Sequence, residues 1–220
     1  MNRDELARLI DHSVLKPEAI EADIHAGAAI VRAWHIGFYC VQPSWVRVAA
    51  AALAGTDARV VTVAGFPHGC DRAEVKARAA ALAVCEGAVE VDMVLNFGAL
   101  KSGQANVVAA EIEAVVRAVP DIPVKVILET AALTGPEKDL ACRLARDAGA
   151  AFVKTSTGFH PAGGATAADI RLLRAAVGPD FGVKASGGIR TLADTLAMID
   201  AGANRVGSSA SAAILAAVLN

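Results

Sequence analysis

The chain has 220 residues, 55% of them hydrophobic, and a formal net charge of −2 at pH 7, with a pI near 6.2. That is enough apolar material for a sizeable core. The charge balance leaves no broad basic field for nucleic acid and no polybasic membrane anchor, so any anion site must be local.

Short β-branched apolar runs alternate with Ala-rich stretches along the whole chain. Residues 3–9 read as a short extra helix, followed by a strand near 11–15 and a helix over 21–34. A strand at 38–41 leads to a helix over 43–53, with Pro43 in its first turn, where a missing N–H costs nothing. Strands at 59–65 and 89–95 are each followed by a helix, at 72–86 and 104–118. After the strand at 124–129, Thr134 and Glu137 fit a capping box for a helix over 136–147. A strand at 152–155 precedes a helix at 166–176, and one at 182–185 precedes a helix at 191–200. A last strand at 205–207 precedes a helix at 209–218. Gly149 and Gly202 fit glycine at a helix end.

Eight strand–helix pairs in this length predict a single (β/α)₈ (TIM) barrel spanning residues 1–220. The rival is a doubly wound open sheet, which would want G-x-G-x-x-G after its first strand; this chain has none there.

Cys40, Cys70, Cys85 and Cys142 form no C-x-x-C pair, and the five histidines show no ligand spacing, so neither a structural zinc site nor a metal-dependent mechanism is expected. The charged start Met1–Glu5 has no apolar signal region behind it, and no apolar stretch approaches ~20 residues. The expected location is the cytoplasm. No nucleophile elbow or Walker loop is present.

The sharpest signal is charge inside apolar strands. Side chains alternate across a strand. In Val89–Asn96, Val91, Met93 and Leu95 therefore share one face, while Glu90, Asp92, Val94 and Asn96 share the face that a closed barrel turns inward. In the next strand Val124, Val126 and Leu128 point outward, and Lys125, Ile127 and Glu129 inward. Lys154 and Lys184 each stand opposite a valine, at the C-terminal ends of neighbouring strands, where barrel active sites are built. Two ammonium groups close together depress each other's pKa, which is one way a lysine becomes a neutral nucleophile. Lys125 reads instead as the partner of Glu90, in a layer that serves stability.

The loops after strands seven and eight, Ser186–Arg190 and Gly207–Ala210, carry glycines and open helices. Barrels often bind phosphate there, through backbone N–H groups and a helix N-terminus. Arg190 is a candidate cation, and Gly163–Gly164 a candidate for the rim. Cys40 reads either as lining the barrel mouth or as a small core thiol.

Along nearly its whole length the chain is similar to the shorter bacterial deoxyribose-phosphate aldolases. The resemblance rests on Ile10–Glu18, Val63–Pro67, Val91–Gly103, Lys125–Thr130, Phe152–Phe159 and Lys184–Thr191. It implies a class I lyase with no metal or organic cofactor, acting on a phosphorylated aldehyde. It puts the imine-forming lysine at Lys154, the second lysine at Lys184 and the aspartate of the proton relay at Asp92. Gly187, Gly188, Arg190, Gly207 and Ser209 fall on the phosphate loops, and Asp11, Cys40 and Thr157 on positions that line the site. Departures are Ala210 where the family often has serine, Gln42 where asparagine is usual, and a longer Gly158–Gly164 loop. The chain's only tyrosine, Tyr39, is not at the C-terminus, where longer members carry one that aids proton transfer. Another phosphosugar barrel enzyme, an epimerase or an aldolase with a different acceptor, is the alternative. Assembly into a homodimer or homotetramer is a further expectation.

Overall fold

The computed structural model describes residues 1–218. A short helix α1 (Arg3–Ala7) precedes the barrel and packs on the last helix, and eight parallel strands follow: β1 (Ile10–Val14), β2 (Phe38–Val41), β3 (Arg59–Ala64), β4 (Glu90–Val94), β5 (Val124–Ile127), β6 (Phe152–Lys154), β7 (Gly182–Ser186) and β8 (Arg205–Ser208). They pair in chain order, and β8 closes onto β1, giving a closed barrel. The expected fold class is thus observed, and the open sheet is excluded. Among the described residues, no helix is long and apolar enough to cross a membrane.

Outside the strands lie α2 (Glu21–Ala33), α3 (Val46–Ala52), α4 (Ala73–Cys85), α5 (Phe97–Lys101), α6 (Ala105–Ala118), α7 (Gly135–Asp147), α8 (Ala167–Val177), α9 (Leu192–Asp200) and α10 (Ser211–Ala216). The outward strand residues Val91, Met93, Val124, Val126 and Val153 pack with helix residues such as Ile112 and Leu173 in one continuous apolar shell. The expected face assignment therefore holds within the strands, but Asn96 and Glu129, expected on the inward face, lie past the strand ends, Asn96 as the cap of α5 and Glu129 in a left-handed turn, where alternation no longer applies.

Most element boundaries shift from the sequence reading by a residue or two, and four departures have a specific local reason. β5 stops at Ile127 because Glu129 sits in the left-handed region, φ 58°, which ends an extended run. The helix expected over 43–53 begins as a 3-10 turn, Pro43–Trp45, before α3. α5 was not anticipated; it is a single turn and a half, capped by the Asn96 side chain accepting from Ala99 N–H at 2.9 Å. α10 starts only at Ser211, because the Ser208 hydroxyl takes the Ala210 N–H at 3.0 Å. At Thr134 the Glu137 carboxylate does accept the backbone N–H, at 2.7 Å.

Strand register sorts the inward side chains into layers of four from alternate strands, as barrel geometry requires. Phe38, Glu90, Phe152 and Arg205, each the first residue of an even-numbered strand, form the bottom layer. Asp11, Val61, Lys125 and Lys184, from odd strands, form the middle layer. Cys40, Asp92, Lys154 and Gly207 form the top layer. Glycine at position 207 leaves the fourth corner open, since a Cβ there would come within 3.3 Å of the Lys184 Cε.

Candidate active site

A cavity of about 710 Å³ opens at the C-terminal end of the barrel. Lys154, Lys184, Asp11, Cys40 and Thr157 line it, with Gly187, Gly188, Arg190, Gly207 and Ser209 on the side of the β7 and β8 loops. Nearly every residue singled out in the sequence is thus gathered at one mouth. Asp92 is fully buried and is not on the cavity wall; its Oδ2 meets the cavity through Lys154 and Lys184.

The floor is an ionic network. Lys154 Nζ donates to Asp92 Oδ2 at 2.9 Å, and Lys184 Nζ donates to the same oxygen at 2.7 Å and to Asp11. Asp92 Oδ1 accepts from Lys125 at 2.7 Å. Burial alone would raise the Asp92 pKa, but Lys125, Lys154 and Lys184 outweigh it and hold the carboxyl well below the usual aspartate range. Burial depresses Lys154, with Lys184 adding to the effect and Asp92 opposing it. Lys184 moves the other way: burial is outweighed by the two carboxylates of Asp11 and Asp92, and its pKa rises. The two neighbouring lysines are therefore unlike, Lys154 shifted towards the neutral amine and Lys184 towards the charged one, which is the division that amine addition to a carbonyl needs.

Lys125 does pair with Glu90, at 2.6 Å, but its second bond to Asp92 means that it does not belong to a separate stability layer. It joins the two. Sequence reasoning missed Arg205, which donates to Asp11 at 3.0 Å and to Glu90 at 3.2 Å with its guanidinium 3.3 Å from the Phe38 ring centroid. The alternation was there to see, since Arg205 opens a strand of the same inward pattern; a strand of so few residues gave little period to read.

Cys40 satisfies both of its readings. It lines the cavity and packs with Phe38, Val61 and Val63, and burial pushes its thiol up to about 11. Thr157 is held from below: its hydroxyl and its N–H both donate to Glu129. Gln42 ties the mouth of β2 to β1, donating to the Leu15 carbonyl at 2.8 Å. Tyr39 faces away from the cavity and donates to the Ile24 carbonyl at 2.8 Å, so it is not near the lysines' side of the strand.

The anion loops differ in detail from expectation. The α9 N-terminus is occupied by its own Asp194, whose carboxylate accepts from the Arg190 and Thr191 N–H groups at 3.2 and 3.0 Å. That carboxylate leaves this helix end poorly suited to a phosphate, and places the burden on the loop glycines and Arg190. Gly163 and Gly164 are not on the cavity wall. Gly164 instead backs the β7 loop: a Cβ there would meet the Gly187 carbonyl oxygen at 2.2 Å, and the next residue, Ala165, donates to that oxygen at 3.0 Å.

Residues 6–216 match the model of the DeoC/LacD family aldolases. The chain is 53% identical over 212 residues to the deoxyribose-phosphate aldolase of Enterococcus faecalis, covering 96% of each. It is 52% identical over 213 residues to that of Thermoanaerobacter sp. (strain X514), covering 96% of this chain and 95% of the relative. Among solved structures, the tetrameric deoxyribose phosphate aldolase of Aeropyrum pernix superposes with a TM-score of 0.90 at 29% identity, covering 98% of this chain and 91% of that one. This chain belongs to the DeoC/LacD family of aldolases.

Proposed function

We propose that the chain is a deoxyribose-phosphate aldolase that cleaves 2-deoxy-D-ribose 5-phosphate reversibly to D-glyceraldehyde 3-phosphate and acetaldehyde, with Lys154 as the amine. The observation that carries this reading is the asymmetry of the two cavity-floor lysines around one oxygen of Asp92.

Neutral Lys154 adds to the aldehyde carbon of the open-chain sugar. The carbinolamine loses water to give an iminium, with Asp92 passing protons through a water molecule. The iminium is the electron sink: the C3 hydroxyl loses its proton, the C2–C3 bond breaks, and its electron pair forms the enamine as glyceraldehyde 3-phosphate departs. Protonation of the enamine and addition of water release acetaldehyde and regenerate Lys154. Lys184 keeps Lys154 deprotonated by like-charge proximity. The phosphate is placed against Gly187, Gly188, Gly207, Ser209 and Arg190, and Asp11, Cys40 and Thr157 shape the pocket for the rest of the sugar.

Self-association into a dimer or tetramer belongs to the same reading, on the strength of the tetrameric Aeropyrum pernix relative. So does a reducing cytoplasm, in keeping with four cysteines that are all unpaired.

The test is borohydride reduction of the folded protein with acetaldehyde, followed by peptide mass mapping. An ethyl group on Lys154, absent in Lys154→Ala, is the expected result, together with cleavage of deoxyribose 5-phosphate in a direct assay. Trapping at another lysine overturns the assignment, and no trapping at all overturns the aldolase reading.

A further inference from the structure

The buried charges of the barrel form a closed circuit. Arg205 bonds Asp11 at 3.0 Å, and Asp11 accepts from Lys184. Lys184 bonds Asp92 at 2.7 Å, and Asp92 bonds Lys125 at 2.7 Å. Lys125 bonds Glu90 at 2.6 Å, and Glu90 returns to Arg205 at 3.2 Å. Signs alternate around this ring, three carboxylates against three cations, and sum to zero. Lys154 hangs outside it, as the third cation on Asp92. The remaining inward positions of these layers are uncharged: Cys40, whose thiol is neutral, Val61, Gly207 and the rings of Phe38 and Phe152.

The partners are distributed unequally. Lys125, Lys184 and Arg205 each hold two carboxylates, while Lys154 holds one oxygen that it shares. A net charge in a low-dielectric interior is costly, and a balanced, fully bonded cluster much less so. With Lys154 protonated the assembly carries +1; with Lys154 neutral it carries none. Arg205 makes this choice firm, because a guanidinium does not give up its proton.

We infer that Arg205 and Glu90, in the bottom layer and outside the cavity, are positioning residues: by completing a neutral ring they make Lys154 the surplus cation and so direct proton release to the imine-forming amine. The inference rests on the proposed imine at Lys154. It extends that reading from the lysine pair to two residues that touch no substrate.

The experiment is the pH dependence of acetaldehyde trapping at Lys154, read by peptide mass. Arg205→Met leaves the ring one negative charge in excess, so Lys154 keeps its proton and the trapping midpoint moves alkaline by about one pH unit. Glu90→Gln moves it in the acid direction by a similar amount. Arg205→Lys, and the double variant R205M/E90Q, which restores balance, bring it back towards the wild-type value. Either single variant suffices where the other does not fold, because each shifts with its own sign. Reduced trapping with an unmoved midpoint in the folded variants means a packing role only, and overturns the inference. Failure of the wild type to trap at Lys154 overturns the underlying reading instead, and this inference with it.

Discussion

Lys154 and Lys184 donate to one and the same atom, Asp92 Oδ2, at 2.9 and 2.7 Å. They are also direct partners in the β6–β7 register, so the backbone itself holds the two amines together. A carboxylate oxygen shared by two ammonium groups cannot serve both equally, and Lys184 has Asp11 as a second acceptor. Lys154 is left as the weaker-held proton.

Replacing Lys184 removes that competition. Lys184→Leu gives Lys154 sole use of Asp92 Oδ2 and takes away a neighbouring positive charge, so Lys154 binds its proton more tightly. The pH midpoint for imine formation is expected to rise by about one unit or more. Borohydride trapping across a pH series measures it, and an unchanged midpoint removes the tuning role of Lys184.

The contact between Gly164 and Gly187 separates phosphate binding from amine chemistry. A Cβ at 164 would lie 2.2 Å from the Gly187 carbonyl oxygen, so Gly164→Ala must displace the β7 loop. Small misplacements of binding groups cost on the order of 10- to 100-fold. Inhibition by inorganic phosphate, and KM for the phosphorylated sugar, should worsen by at least about tenfold. Trapping of acetaldehyde, which has no phosphate, should be nearly unaffected. Equal loss of both activities would place the effect on the whole barrel mouth.

Lys76 and Glu111 form a second buried ion pair, outside the barrel and between α4 and α6. Lys76 Nζ donates to the Gly69 and Val94 carbonyls at 2.7 and 2.8 Å and to Glu111 at 2.9 Å, while Glu111 also accepts from the Asn96 N–H. The pair therefore pins the loop after β3 to the end of β4. Lys76→Met strands a buried carboxylate and is expected to cost about 3 kcal/mol or more in urea unfolding. The double replacement K76M/E111L should lose less than that single variant, because no lone charge remains. Strict additivity of the two single effects would contradict this.

His12 predicts a pH dependence of stability. Its ring bonds the Ser211 hydroxyl at 2.6 Å, and burial lowers its pKa to about 4 from an ordinary 6.5. In the window from pH 6.5 down to 4 the unfolded chain takes up a proton at this residue and the folded chain does not. Stability at this site therefore falls as pH falls, by about 3 kcal/mol across the window. Asp11 and Asp92 have depressed pKa values, so their contribution is complete above the ordinary 3.8 and drains away only below it. Urea unfolding of the wild type and His12→Gln between pH 7 and 4 isolates the histidine: the variant should show the flatter curve, and parallel curves would rule the effect out.

Much of this molecule is legible in the chain alone. The eight-fold alternation of strand and helix determines the barrel, because each apolar period admits one way of burying its face. Period two in Glu90–Val94 and in Val124–Leu128 determines which charges enter the interior, and the position of Lys154 at the end of β6 determines that it reaches the mouth, whereas Lys184, in the middle of β7, reaches the cavity from one layer below. What period two does not carry is the partner. That Arg205 completes a ring with Asp11 and Glu90 follows only when β8 closes onto β1 and the register of all eight strands is set. Lys76 and Glu111 look in sequence like ordinary charges on Ala-rich helices, and only the packing of α4 on α6 buries them together. Gly164 looks like a loop glycine until Gly187 approaches it. The alternation of a strand encodes the direction of a side chain, a local property of the backbone. Charge pairing depends on distance between residues far apart in sequence, and that is decided by closure of the barrel.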